Sequence, residues 1–97
     1  DVLSTPAMVA FMEQTAMQAV EACLNEGEGT VGTEVNIRHL KATPVGMTIT
    51  CTATLQEVNG NRLLFHVEAD DEIGKIGEGQ HERVIINNQR FKEKLNG

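Results

Sequence analysis

Residues 6–24 have the hydrophobic periodicity of an α-helix. At about 100° per residue, one broad arc of the helical wheel holds most of the large apolar side chains, namely Val9, Met12, Ala16, Met17, Val20, Cys23 and Leu24. The remaining glutamine and glutamate side chains, with one exception, lie on the opposite side, where solvated groups belong. Thr5 as the N-cap and Pro6 at the first helical position predict the start of this helix. A polar, glycine-containing stretch predicts its end near Asn25.

Alternation of apolar and polar residues predicts four strands after the helix. Residues 33–40 and 48–55 alternate strictly, and the second run carries four threonines on one face. Asn59-Gly60 predicts a type I′ hairpin turn into residues 63–69, since both central positions of that turn need positive φ. A turn near Asp70 leads into a glycine-rich strand over residues 73–86, and residues 89–95 predict a short helical turn. One helix against four antiparallel strands indicates an α+β fold in which the sheet curls around the helix.

Glu13 is the exception on the helical wheel, because it falls inside the apolar arc. A carboxylate on a packed face must be hydrogen-bonded, paired or protonated, since burying it bare would cost several kcal/mol. Such a group is a functional candidate. A structural ion pair, or a side chain that reaches past the edge of the arc, would explain the position equally well.

Length and composition narrow the class of protein. We expect the 97 residues to form one domain, residues 1–97, small enough to gain core by pairing with a second copy. The net charge of −6 argues against a nucleic-acid partner, which requires a basic face. No apolar run approaches the roughly 20 residues of a membrane span, so no membrane partner is expected. Cys23 and Cys51 lie in apolar patterns without metal-ligand spacing, which predicts reduced core cysteines, no metal site and a cytoplasmic location.

Four short strings carry a resemblance to a known family. They are TPAMVAFME at residues 5–13, GTVGT at 29–33, His39 followed by ATPVG at 42–46, and GQHER at 79–83. In this order and spacing the chain resembles the hot-dog fold acyl-CoA thioesterases, and most of all their fluoroacetyl-CoA thioesterase branch. The resemblance extends from about Leu3 to Leu95 and implies a hot-dog fold, with a long central helix wrapped by a curved antiparallel sheet. We expect the family's N-terminal strand and lid-like segment to be missing, which leaves the choice of acyl group unpredicted.

The resemblance also implies roles for individual residues. Thr5, Glu13 and His39 match a catalytic trio in which the hydroxyl lies near the thioester, the carboxylate acts as nucleophile or as general base, and the imidazole assists. Gly32 and Arg83 match positions that lie against the acyl group. The implied substrate is the coenzyme A thioester of a short-chain or other small acyl group, with no separate cofactor.

Other interpretations stay open at this point. Without the resemblance, Thr5 is explained as an N-cap and His39 as a buried or interface histidine. A non-catalytic acyl-CoA binding or sensing module would keep the same groove, and a purely structural dimer would explain the fold alone. The differently spaced His and Asp motif of a hot-dog hydratase or dehydratase is not found. Since hot-dog proteins join two sheets edge to edge, the resemblance implies a homodimer or a dimer of dimers, with Glu13 near His39 of the partner subunit.

Overall fold

The structure, a computed structural model, describes residues 2–96. Its elements in chain order are α1 (Thr5–Glu21), β1 (Glu28–His39), β2 (Thr50–Asn59), β3 (Arg62–Asp70), β4 (Lys75–Asn87) and α2 (Asn88–Asn96). The strands form one antiparallel sheet in the order β1-β4-β3-β2, and α1 contacts all four of them. The predicted α+β class, with one long helix against four antiparallel strands, is confirmed. No helix among the described residues is both long enough and apolar enough to cross a membrane.

The ends of α1 differ from the prediction. The N-cap is Ser4, whose Oγ accepts a hydrogen bond from the backbone N–H of Ala7 at 3.2 Å. The prediction of Thr5 as the N-cap is therefore wrong by one residue, and the Thr5 hydroxyl is available for another partner. The helix ends at Glu21, before the predicted Asn25, because Cys23 and Leu24 bond to carbonyls three residues back and tighten the last turn.

The packed face of α1 is a line of residues four apart: Met8, Met12, Ala16 and Val20. It packs against a core completed by the inner side of β3 and the start of β4, namely Leu63, Phe65, Val67, Ala69 and Ile76. Met17 and Cys23 are exposed, so the predicted arc is rotated and the prediction of Cys23 as a core residue is wrong. Cys51 is half-buried against this core. Glu13 borders the packed line and is half-buried.

The rotation of the helix has a cause in β4. A side chain on Gly77 would meet the Sδ atom of Met8 at 2.6 Å, so the absence of a side chain there admits Met8 into the core. Gly79 is closer still to the backbone of β1. These contacts explain why two positions of β4 have no side chain.

The hairpin between β2 and β3 forms one residue later than predicted. Asn59 pairs with Arg62, so Gly60 and Asn61 occupy the turn. Gly60 has φ +64°, whereas Asn61 does not have positive φ. A single positive φ at the first central position is typical of a type II′ turn, so the prediction of type I′ is wrong.

A bulge in β1 decides which residues face α1. The pairing with β4 shifts between Gly32 and Glu34, so that Gly32 pairs with Arg83 and His39 pairs with Gly77. Arg83 and Gly77 are an even number of residues apart and therefore lie on one face of β4. Gly32 and His39 consequently share that face, although they are an odd number of residues apart. This is the face that α1 covers.

Candidate active site

Thr5 and His39 are joined by a hydrogen bond of 2.8 Å between Thr5 Oγ1 and His39 Nδ1. Thr5 is the first residue of α1 and His39 is the last residue of β1. The two ends meet because the backbone N–H of Leu3 donates to the Thr43 carbonyl at 2.9 Å, which ties the chain before α1 to the loop after β1. We refer to these two side chains as the Thr5–His39 pair.

A buried carboxylate holds the loop that follows His39. Asp71 accepts backbone N–H bonds from Ile73 at 2.8 Å and Gly74 at 3.0 Å, and a hydroxyl bond from Thr43 at 3.1 Å. The Lys41 ammonium lies 3.5 Å from the same carboxylate. These bonds hold the pKa of Asp71 below its usual value despite burial, and the two backbone N–H bonds have the largest effect. The carboxylate therefore stays ionised and fixes the loop behind the Thr5–His39 pair.

The other ring nitrogen of His39 has no partner. Nε2 is buried and forms no hydrogen bond within the described residues. An unpaired buried polar atom is uncommon in a folded protein and calls for a ligand, a water or a partner group. His39 and Thr5 also line an open cleft of about 400 Å³ formed by residues 2–5 and 39–42. The pair thus combines space for a ligand with an unused nitrogen.

Glu13 lies elsewhere, beside Gly32, His81 and Arg83. A methyl group on Gly32 would lie 3.0 Å from His81 Cε1, 3.1 Å from Glu13 Oε2 and 3.4 Å from Arg83 Nη1. The three side chains therefore converge on a position of β1 that has no side chain. We call these four residues the Glu13 pocket. Among residues 2–96, no hydrogen bond or ion pair is formed by the Glu13 carboxylate, so a structural ion pair within the chain does not explain it.

Arg83 supplies a buried cation to the Glu13 pocket. Its side chain donates from Nε to Thr30 Oγ1 at 2.8 Å and from Nη2 to the Thr30 carbonyl at 2.9 Å, and its Nη1 lies 3.2 Å from His81 Nε2. Burial lowers the pKa of Arg83, and the charge of Glu13 opposes that change. The guanidinium remains charged at neutral pH because its ordinary pKa is so high. The adjacent carboxylate, Glu82, faces the other side of the sheet and bonds to Arg62.

One chain therefore brings the predicted site residues together in two groups. Thr5 and His39 form one group, and Glu13, Gly32 and Arg83 form the other. Thr5 and Glu13 are eight residues apart on α1, about 12 Å at 1.5 Å per residue. His81 is not among the predicted site residues, although strand alternation places it on the same face of β4 as Arg83.

A second cluster of ionisable groups lies on the outer face of the sheet. The ligand atoms of His66, Glu68 and Glu78 lie within 4.8 Å of one another. The Lys75 ammonium bonds to Glu78 at 2.8 Å and to Glu68 at 2.9 Å, and these two bonds raise the pKa of Lys75. A cation thus already compensates the carboxylates, and we interpret the cluster as a surface ion-pair network.

The chain is similar to proteins of one enzyme family. The model of the fluoroacetyl-CoA-specific thioesterase family, FlK, matches residues 1–89. A fluoroacetyl-CoA thioesterase from Streptantibioticus cattleyicolor is 41% identical over 95 residues, which cover 98% of this chain and 68% of that protein. A solved structure of the fluoroacetyl-CoA thioesterase FlK is also 41% identical, with a TM-score of 0.95 over 99% of this chain and 71% of the other.

A more distant relative shares the architecture. A hot-dog-like protein from Thermanaerovibrio acidaminovorans is 29% identical, with a TM-score of 0.92 over 98% of this chain and 70% of that one. Both the fold and the family inferred from the sequence strings are thereby confirmed. The chain has the hot-dog fold and belongs to the fluoroacetyl-CoA-specific thioesterase family.

Proposed function

We propose that this protein hydrolyses the thioester of a short-chain or other small acyl-CoA to the free acid and coenzyme A. One observation carries the proposal: the half-buried Glu13 carboxylate has no partner in its own chain and faces a side-chain-free position beside the buried Arg83 cation. A carboxylate without a partner of its own is available to act as a general base or a nucleophile. The relative from Streptantibioticus cattleyicolor is a fluoroacetyl-CoA thioesterase, and fluoroacetyl-CoA is a thioester of a two-carbon acid.

Two routes are compatible with Glu13. As a general base, the carboxylate takes a proton from water while the water oxygen attacks the thioester carbonyl, and the tetrahedral intermediate then expels the coenzyme A thiolate. As a nucleophile, a carboxylate oxygen attacks the carbonyl and expels the thiolate, and water then cleaves the resulting anhydride. Both routes give one acid and one coenzyme A for each water consumed. In this proposal the acyl group rests against Glu13, beside Gly32 and Arg83.

The Thr5–His39 pair takes part through a second subunit in this proposal. The grounds are the two unused groups of the single chain, the Nε2 atom of His39 and the carboxylate of Glu13. We propose a C₂ dimer in which Glu13 lies near His39 of the partner subunit. Each dimer then contains two complete sites, one at each end of the joined strands.

The edge of the sheet suggests how the subunits join. β1 is a 12-residue edge strand whose backbone groups are free on one side, and such an edge pairs readily with a second copy. An antiparallel pairing about a two-fold axis at Asn36 places Val35 opposite Ile37 of the partner subunit. The same register brings Gly32 next to the partner's His39, because the bulge has put both positions on the face of the sheet that α1 covers.

Charge supports this register. On the outer face of β1, the axis at Asn36 places Glu34 opposite Arg38 of the partner subunit, and the symmetry repeats the pair. Both side chains are exposed in the single chain, and neither has an ion-pair partner among the described residues. Cross-strand pairs of opposite charge favour a register, whereas like charges directly opposite each other disfavour it.

The cellular location, the higher assembly and the cofactor requirement belong to the same proposal. We place the enzyme in the cytoplasm, because both cysteines are free and Cys23 is exposed, which suits a reducing compartment. A dimer of dimers would leave the two sites of each dimer unchanged. Neither a metal ion nor a separate cofactor is needed by the two routes described above.

The activity is tested by thiol release. We expect a chromogenic thiol reagent to detect coenzyme A release from acetyl-CoA and other small acyl-CoA esters, with activity falling as the acyl chain lengthens. Isothermal titration with the same esters separates an enzyme from a binding module. Binding of the whole panel without thiol release would mean that the non-catalytic alternative is correct.

The dimer is tested by charge exchange at β1. We expect Glu34→Arg and Arg38→Glu to weaken association, because each places like charges opposite each other, and we expect the double variant to regain it. Sedimentation at several concentrations measures the effect, and Glu57→Arg, on the strand at the other edge, is the matched control. Equal association of both single variants and the wild type would exclude this register.

A further inference from the structure

His81 is the most deeply buried ionisable group of the Glu13 pocket, with 1% of its surface exposed. It lies on the inner face of β4, two residues before Arg83, and contacts the vacant position at Gly32. The two hydrolysis routes give it no task. A buried histidine with two specific hydrogen-bond partners, beside the proposed reacting carboxylate, is nevertheless a candidate for a role beyond packing.

The hydrogen bonds of His81 define its protonation state. Nδ1 lies 2.8 Å from the backbone carbonyl of Glu34, and a carbonyl oxygen can only accept, so Nδ1 carries the hydrogen. Nε2 lies 3.2 Å from Nη1 of Arg83, and a guanidinium can only donate, so Nε2 presents its lone pair. The geometry therefore assigns His81 to the neutral tautomer with hydrogen on Nδ1.

We propose that His81 is a positioning residue that aims the Arg83 guanidinium at the acyl group. Thr30 fixes Nε and Nη2 of Arg83 from one side, and His81 fixes Nη1 from the other. Of the five N–H groups of Arg83, these bonds use three. The remaining hydrogen on Nη1 is left beside the vacant position at Gly32, which the Glu13 carboxylate also faces.

This proposal rests on the proposed hydrolysis for its catalytic consequence, but not for its geometry. A cation held beside the reacting carbonyl stabilises the negative charge that develops on it, and such stabilisation depends on placement within about 1 Å. Without the lone pair of His81, the Nη1 donor is unsatisfied in a buried site, and the guanidinium turns to find another acceptor. The nearest anion is Glu13, so the turned guanidinium would pair with the catalytic carboxylate.

Two substitutions separate the two hydrogen bonds of His81. In His81→Asn, the side-chain amide reaches the position of Nδ1 and keeps the donor to the Glu34 carbonyl, but nothing reaches Arg83. In His81→Gln, the longer side chain places its carbonyl oxygen near the position of Nε2 and keeps an acceptor for Arg83. His66→Asn, on the outer face of the sheet, is the matched control. Steady-state hydrolysis and a melting curve are measured on each purified variant.

We expect His81→Asn to lose about tenfold in kcat with a much smaller change in KM, because a mispositioned group acts mainly on the reacting step. We expect His81→Gln to keep most of the wild-type kcat and His66→Asn to keep all of it. A purely structural histidine would instead lower the melting temperature of both His81 variants while leaving kcat per folded molecule unchanged. That result, or equal kcat losses in both variants, would overturn the proposal.

Nuclear magnetic resonance of ¹⁵N-labelled protein gives a readout that does not depend on activity. We expect two-bond couplings to show the Nδ1–H tautomer of His81, and a slowly exchanging Nε–H signal of Arg83 that is lost in His81→Asn and retained in His81→Gln. An unaltered Arg83 signal in His81→Asn would refute positioning even if the wild type hydrolyses thioesters. If the wild type hydrolyses none, the proposed function fails, while these signals still decide the role of His81.

Discussion

The Thr5–His39 pair and the Glu13 pocket are built in opposite ways. The Thr5–His39 pair joins the ends of two elements by one hydrogen bond and borders an open cleft. The Glu13 pocket lies in the middle of β1 and β4, where Thr30 and His81 fix the Arg83 guanidinium on both sides. Each has one group without a partner, a nitrogen in the first and a carboxylate in the second. In the dimer that we propose, the two are complementary halves of one site.

The largest effect is expected from Glu13→Gln, which removes the proposed base or nucleophile and keeps the size of the side chain. We expect kcat to fall by about 10² or more, as for the loss of a positioned acid–base group. Since Glu13 has no ion-pair partner in its own chain, the melting temperature should hardly change. Hydrolysis and melting are measured on the same sample, with Gln14→Glu, an exposed neighbour, as the control for charge. A well-folded Glu13→Gln protein with wild-type turnover would contradict the assigned role.

A smaller effect is expected from Gly32→Ala, which fills the position on which the Glu13 pocket converges. The added methyl would lie 3.0–3.4 Å from three side chains, so each must move by a few tenths of an ångström. We expect kcat/KM for the smallest acyl group to fall about tenfold, through both misplacement and lost space. Gly74→Ala is the matched control, because a methyl there meets nothing within 4 Å. Equal kinetics of the two variants would show that the acyl group does not rest at Gly32.

The smallest effect on turnover is expected from Asp71→Asn, which loosens the loop behind the Thr5–His39 pair without touching the Glu13 pocket. We expect about a twofold loss of kcat, as for a small displacement of His39, and a lower melting temperature. The hydrogen bonds of Asp71 depress its pKa in the folded state, so its stabilisation is present above the unfolded pKa of about 4 and is lost as the pH falls through the folded pKa.

The pH therefore distinguishes this role of Asp71 from a loss of packing. The difference in melting temperature between the wild type and Asp71→Asn should be largest near neutral pH and should shrink in acid. Asp70→Asn, the adjacent carboxylate, is the control. A difference that stays constant down to the acid limit would show that the charge of Asp71 does not stabilise the loop.

The sequence predicted the order of the elements and the faces of the strands, because alternation and periodicity are local properties. It misplaced the packed face of α1, since the glycine that admits Met8 lies on a strand far along the chain. It placed the N-cap one residue too late, at Thr5, because Ser and Thr are both favoured N-cap residues. Tertiary packing chose between them, and this choice freed the Thr5 hydroxyl for His39.

The candidate site was predictable as a set of residues but not as an arrangement. The helical wheel singled out Glu13, and the resemblance supplied Thr5, His39, Gly32 and Arg83. Neither could show that these residues fall into two groups, because that division depends on the bulge in β1 and on the register of β1 with β4. Alternation along β4 would have added His81.

The most direct test of the shared site mixes two inactive variants. Glu13→Gln and His39→Ala are each purified, combined in equal amounts, exchanged through a dissociating step and assayed by thiol release. If each site takes Glu13 from one subunit and His39 from the other, every mixed dimer regains one intact site. Random pairing then restores about a quarter of the wild-type activity. Activity no higher than that of the separate variants, in a sample whose mixed dimers are verified by mass spectrometry, would contradict the account.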